Sequence, residues 1–238
     1  MKIYAHRGFS GEYPENTMLA FEKAVEAKSD GIELDVHLSK DGKLIVIHDE
    51  YLLRTTGKLG KVSDYTKDEL VKINAGKTKG DKFGFTPIVD FDYYCDYIKD
   101  KDIITNIEIK TNNNYYVGIE ELVVDYVKKY KLEEKTIFSS FNWLSIIKVN
   151  KIAPHIKNAL LQEFYLTYNI GDLEKSFGFN YFHPDGRLLD EKIVENCNVN
   201  DIKINAWAVN DLEIFGKLKK WNIEGVITNY PDLILENI

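Results

Sequence analysis

Cysteine, long apolar runs and excess positive charge are all scarce in this chain of 238 residues, and each scarcity removes a class of protein. Two cysteines, Cys95 and Cys197, stand far apart without metal-type spacing. They argue against a disulfide-stapled scaffold and read as buried or half-buried thiols, a bridge between them being the less favoured alternative. No uninterrupted apolar stretch approaches the ~18 residues of a membrane span, and Met1–Gly8 lacks the apolar core of a secretory signal, so a soluble cytoplasmic protein without membrane insertion is the expectation. The formal charge of −7 and a pI near 5.4 leave no basic footprint for nucleic acid or anionic membrane. What is present, 44% apolar and 29% charged residues, is the composition of a globular chain able to bury a core. An anionic ligand would have to be attracted locally.

Strand-like runs rich in β-branched and aromatic residues occur at 2–6, 31–36, 43–48, 103–109, 136–140, 157–161, 179–182, 203–208 and 224–228. Helical apolar spacing separates most of them, at 16–28, 89–99, 115–130, 142–150, 188–197, 211–221 and 231–236. This alternation predicts an α/β fold, a single TIM-type (β/α)8 barrel spanning 1–238. Between 31–36 and 43–48 the chain has only six residues ending in Asp41-Gly42, too few for a crossover helix, and predicts a β-hairpin arm. Residues 51–85, with five glycines and little periodicity outside 66–73, read as a small insertion over one mouth of the barrel.

On 32–36 the two-residue strand period sends Ile32, Leu34 and Val36 to one face and Glu33 with Asp35 to the other. On 103–110 it groups Asn106, Glu108 and Lys110 opposite Ile103, Thr105, Ile107 and Ile109. Helices covering the outside of a parallel barrel leave the charged faces only its interior or mouth. Glu33, Asp35 and Glu108 then form an oxygen-rich cluster suited to a hard divalent cation, Mg²⁺ or Ca²⁺, with zinc disfavoured for want of nearby Cys or His. His6 and His48 end the first strand and the arm, where they flank that cluster as candidate acid and base. His37, His155 and His183 read as structural. Arg7 and Lys110 beside the cation imply a bound phosphate. Phe141 and Trp207 are candidate pocket walls, and Asn16 is the candidate N-cap of the first helix, with Glu15 at its entrance.

His6-Arg7-Gly8, Pro14-Glu15-Asn16-Thr17, Glu33-Leu34-Asp35-Val36, Lys40-Asp41-Gly42, His48-Asp49, Arg54-Thr55-Thr56 and Glu108-Ile109-Lys110, in that order, resemble the glycerophosphodiester phosphodiesterase family. Weaker echoes continue as Ser140-Phe141, Trp207-Ala208-Val209-Asn210 and Gly225 through Pro231. The resemblance implies a TIM-type barrel and divalent-metal dependence. It also implies hydrolysis of small glycerophosphodiesters to glycerol 3-phosphate and an alcohol, a reaction of glycerol and lipid metabolism. It carries metal binding to Glu33, Asp35 and Glu108, acid–base work to His6 and His48, and phosphate contacts to Arg7 and Lys110. A related diesterase acting on lysophospholipids, or through a cyclic phosphate, is the alternative; a non-catalytic phosphate-binding barrel is a weaker one. Two positions depart from the family pattern, which often has Thr at Ala208 and Asp at Asn229. Both are expected to lie outside the acid–base and metal set.

Overall fold

Ten strands in chain order are β1 (Lys2–His6), β2 (Gly31–Leu38), β3 (Leu44–Val46), β4 (Val89–Asp90), β5 (Ile104–Ile109), β6 (Thr136–Ser140), β7 (Lys157–Gln162), β8 (Tyr181–Pro184), β9 (Lys203–Ala206) and β10 (Gly225–Thr228). The computed structural model describes residues 1–238. Strands β1, β2 and β5 to β10 run parallel, and β1 pairs with both β2 and β10, which closes an eight-stranded barrel. The arm is present: β3 returns antiparallel to the end of β2, with Val36 opposite Val46 and Leu38 opposite Leu44, and β4 adds to its far edge. Gly42 (φ 69°) takes the left-handed conformation that this reversal needs.

The chain has ten helices, α1 (Met18–Glu26), α2 (Leu53–Thr56), α3 (Lys67–Leu70), α4 (Phe91–Ile98), α5 (Ile119–Lys129), α6 (Trp143–Ile152), α7 (Ile170–Phe177), α8 (Glu191–Val199), α9 (Leu212–Lys220) and α10 (Pro231–Leu235), of which all but α2 and α3 surround the barrel. Side chains of Asp90, Asn142, Asp190 and Asp211 accept a backbone N–H at the start of α4, α6, α8 and α9. Each such cap contributes about 1 kcal/mol and fixes where its helix begins. Helix α7 was not among the expected ones, although Ile170, Leu173 and Phe177 repeat at helical spacing; Ile170 is buried, with Leu173 and Phe177 packed against the same cluster. Cys95 and Cys197 are buried and unpaired.

The two-residue alternation decides where the core sits. Ile32, Leu34, Val36, Ile107 and Ile109 face the helical layer in a cluster of 27 buried residues, and a second of 19 covers the late strands. Inside the barrel the apolar filling is small, chiefly Tyr4, Ile137, Ala159, Tyr181 and Ile227, leaving the upper end for polar groups. Residues 51–85 form α2, α3 and short 3₁₀ turns around a separate cluster with the arm, including Ile45, Ile47, Leu52, Val62 and Leu70. No helix is long and apolar enough to cross a membrane.

Candidate active site

Parallel pairing places Asp35 opposite Glu108 and His6 opposite Glu33, so the charged faces of β1, β2 and β5 converge at the carboxyl ends of the strands. Glu33, Asp35 and Glu108 are buried, and one oxygen from each lies within 4.8 Å of the others. Arg7 (φ 56°) and Gly8 (φ 75°) are both left-handed, a sharp turn that aims the Arg7 N–H at Glu33 Oε2, 2.9 Å away. A Cβ at Gly8 would stand 2.7 Å from the Ala20 backbone, so this close approach of α1 requires glycine. The Arg7 guanidinium donates to Glu15 Oε1 at 3.0 Å and stands 3.6 Å from Asp35 Oδ2. Lys110 Nζ lies 2.9 Å from Asp35 Oδ1 and 2.6 Å from Glu108 Oε1.

Three carboxylates face two cations here, and the imbalance falls on Glu33. Burial, with repulsion from Asp35 and Glu108, holds its carboxyl well above the usual range. Burial opposes ionisation of Asp35 too, but Lys110, His48 and Arg7 outweigh it and keep that group well below. Burial also raises Glu108, partly offset by Lys110. An all-oxygen set short of one positive charge fits a divalent cation. Such an ion would turn the local balance of −1 into +1, the complement of a phosphodiester anion.

The two histidines face this cluster with different partners. His6 Nδ1–H donates to Asn229 Oδ1 at 2.6 Å, and its Nε2 is 3.8 Å from Glu33 Oε2. Burial and the Arg7 guanidinium push its imidazole down to about 3. His48 Nδ1–H donates to Asp49 Oδ1 at 2.6 Å. Burial disfavours the Asp49 anion, yet hydrogen bonds from His48 and Arg54 hold it well below the usual carboxylate range. Arg54 also clamps Glu15 at 2.7 and 2.8 Å, so Arg7, Glu15, Arg54, Asp49 and His48 form one chain of ion pairs. His37 acts structurally, its Nε2–H donating to the His48 carbonyl at 3.0 Å. His183 is buried below the site, and His155 is exposed away from it.

A cavity of about 220 Å³ opens over these groups, and Phe141 and Trp207 form part of its opposite wall with ring centroids 5.5 Å apart at 88°. Two expectations need correction. Asn16 is not the N-cap of α1: Thr17 Oγ1 accepts the Ala20 N–H at 3.3 Å, while left-handed Asn16 (φ 54°) turns inward and donates to Asp35 Oδ2 at 2.8 Å. Asn229 does not lie apart from the candidate acid–base pair, because its amide oxygen is the direct partner of His6. Asn106 and Ser139 also line the cavity, and each keeps a buried oxygen, Oδ1 and Oγ, without a protein partner. The polar alternation of β5 pointed to Asn106; nothing in the local pattern marked Ser139.

Residues 6–233 match the model of the glycerophosphoryl diester phosphodiesterase family. The chain is 40% identical over 235 residues to a glycerophosphodiester phosphodiesterase of Caldanaerobacter subterraneus subsp. tengcongensis, covering 98% of this chain and 96% of that one. Its fold is similar to a glycerophosphodiester phosphodiesterase structure from Thermotoga maritima, at 33% identity and a TM-score of 0.82 over 100% of this chain and 98% of the other. An Oleispira antarctica phosphodiesterase solved with the product sn-glycerol-3-phosphate gives 0.88 at 25% identity, covering 99% and 96%. With barrel, acidic cluster and near-complete coverage in agreement, the chain belongs to the glycerophosphoryl diester phosphodiesterase family, enzymes that hydrolyse phosphoric diesters.

Proposed function

We propose that this enzyme hydrolyses glycerophosphodiesters to glycerol 3-phosphate and an alcohol, using His6 and His48 as a proton acceptor and donor beside a divalent cation. The observation that carries the reading is the pair of histidines on either side of one buried carboxylate triad, each held through Nδ1 so that Nε2 is left for the cavity. Glu33, Asp35 and Glu108 would hold Mg²⁺ or Ca²⁺, which when bound supplies charge neutralisation at a phosphoryl oxygen. Arg7 and Lys110 orient the remaining anionic oxygens through charge-assisted hydrogen bonds. The Nδ1 partners divide the proton work. Asp49 is an anion that accepts from the His48 ring, a partner suited to a proton donor, whereas the Asn229 amide is neutral and Arg7 opposes positive charge at His6. His6, kept neutral at rest, is assigned to take the proton of the attacking oxygen once the phosphodiester anion offsets the charge of Arg7, and His48 to protonate the departing alkoxide. The chain acts as one catalytic unit, with residues 51–85 edging the mouth. Supporting this, Arg54 reaches Glu15 and Lys79 Nζ donates to the Gly11 carbonyl at 2.6 Å.

Purified protein supplied with Mg²⁺ or Ca²⁺ should release glycerol 3-phosphate from sn-glycero-3-phosphocholine, with product identified by mass. No release with either ion would remove the reading. A second substrate class is favoured by one feature: a groove of about 400 Å³ lined by Trp143, Leu160, Phe164 and Leu173 joins the catalytic cavity through Phe141, Leu161 and Glu163. Such a surface suits the hydrocarbon chain of a lysophospholipid, and the same assay with that substrate reads it directly.

A further inference from the structure

His48, the proposed proton donor, lies past the end of β3, where no regular element holds its main chain. Its neighbour Ile47 donates to the Asp35 carbonyl at 3.1 Å, but no backbone N–H reaches the carbonyl oxygen of His48. That oxygen accepts from a side chain instead, His37 Nε2–H at 3.0 Å. His37 shares a face of β2 with Glu33 and Asp35, so this bond ties the hanging residue to a strand of the closed ring. The other ring nitrogen of His37, Nδ1, meets the Tyr116 hydroxyl at 3.0 Å, from 79 positions away in the sequence. Tyr116 stands between β5 and α5, buried in the larger apolar cluster. Its ring packs edge to face on the imidazole, centroids 5.7 Å apart at 88°.

The two bonds have a fixed direction. A carbonyl oxygen only accepts, so Nε2 carries the proton of the neutral His37 ring, Nδ1 presents a lone pair, and the phenol donates to it. An imidazole pinned at one nitrogen can still swing about its side-chain torsions, whereas one pinned at both holds Nε2–H on a single point. Removing the hydroxyl leaves a buried lone pair without a donor, a cost the ring relieves by turning toward water and abandoning the His48 carbonyl. Neither Tyr116 nor His37 lines the catalytic cavity. We infer that Tyr116 is a positioning residue for proton transfer: it fixes His37, and His37 fixes the main chain that carries His48. The inference rests on the reading of His48 as the donor to the leaving alkoxide.

The experiment measures kcat and KM of the metal-loaded enzyme for the choline and p-nitrophenyl esters of glycerol 3-phosphate, the second of which departs without a proton. Tyr116→Phe should lower kcat about tenfold on the choline ester and less than about twofold on the p-nitrophenyl ester, with KM unchanged on both. His37→Leu should reproduce that pattern, and the double variant should lose no more than either single one, because the two groups act in series. His37→Gln, whose amide can accept from Tyr116 and donate to His48, should keep most of the wild-type rate. Equal losses of Tyr116→Phe on both esters, losses that multiply in the double variant, or a wild-type rate in Tyr116→Phe overturn the positioning role. The leaving-group dependence of His48→Ala, measured alongside, then keeps the donor reading standing. A His48→Ala enzyme equally slow on both esters overturns the donor reading and the inference with it.

Discussion

Acidification should weaken the barrel through one ring buried beneath the cavity, that of His183 on β8. Asn205 Nδ2–H donates to its Nε2 at 3.1 Å and no charged group compensates it; burial pushes the imidazole from an ordinary 6.5 down to about 3. Protonation would remove the lone pair that receives the Asn205 hydrogen and strand a charge in the interior. Between about 3 and 6.5 the unfolded chain therefore binds a proton that the native chain refuses. This contribution to stability is complete above pH 6.5 and is lost as pH falls toward 3. Its full size is on the order of 5 kcal/mol, of which roughly 2 kcal/mol disappears between pH 7 and pH 5. Urea unfolding at those two pH values would compare the wild type with His183→Gln, whose amide oxygen can still accept from Asn205. His6 and His37, pushed down to about 3 and about 4, act with the same sign in both proteins and cancel. The wild type should lose about 2 kcal/mol more than the variant, and equal losses would refute the reasoning.

The proposed division of labour between the histidines predicts opposite behaviour toward an activated leaving group. His48→Ala should lose about 10²–10⁴-fold on an alkyl diester but recover most of that on a p-nitrophenyl diester, which departs without a proton, whereas His6→Ala should be slow on both; the reverse pattern would exchange their roles. Glu108→Gln should raise the concentration of Mg²⁺ or Ca²⁺ needed for half-maximal rate by about tenfold or more, and an unchanged requirement would contradict ligation by that residue.

Period-two alternation on 32–36 and 103–110 made the triad legible, because a strand leaves its side chains only two directions and helices occupy one of them. The hairpin arm followed from six residues and an Asp-Gly turn for the same geometric reason. Less was legible where the backbone leaves regular structure. Asn16 looked like a cap because Asn caps helices, but its left-handed φ, which nothing beside it announces, turns the amide toward Asp35 instead. Asn229 lies 223 positions from His6, and only closure of the barrel between β1 and β10 brings them together. Helix α7 escaped notice because its polar residues outnumber its three apolar anchors and Gly171 interrupts it.

His6 rides on a strand of the closed ring, while His48 hangs beyond β3 on an outrigger steadied by a cluster of seven buried residues and by the hydrogen bonds of Ile47 to Asp35 and His37 to His48. The closed ring has no edge to fray; the outrigger does, at β4. Partial detachment of that appendage would withdraw His48, the proposed proton donor, while leaving the ring intact. Competence for chemistry and persistence of the scaffold are in this way separable properties, and warming should silence the enzyme before it melts it.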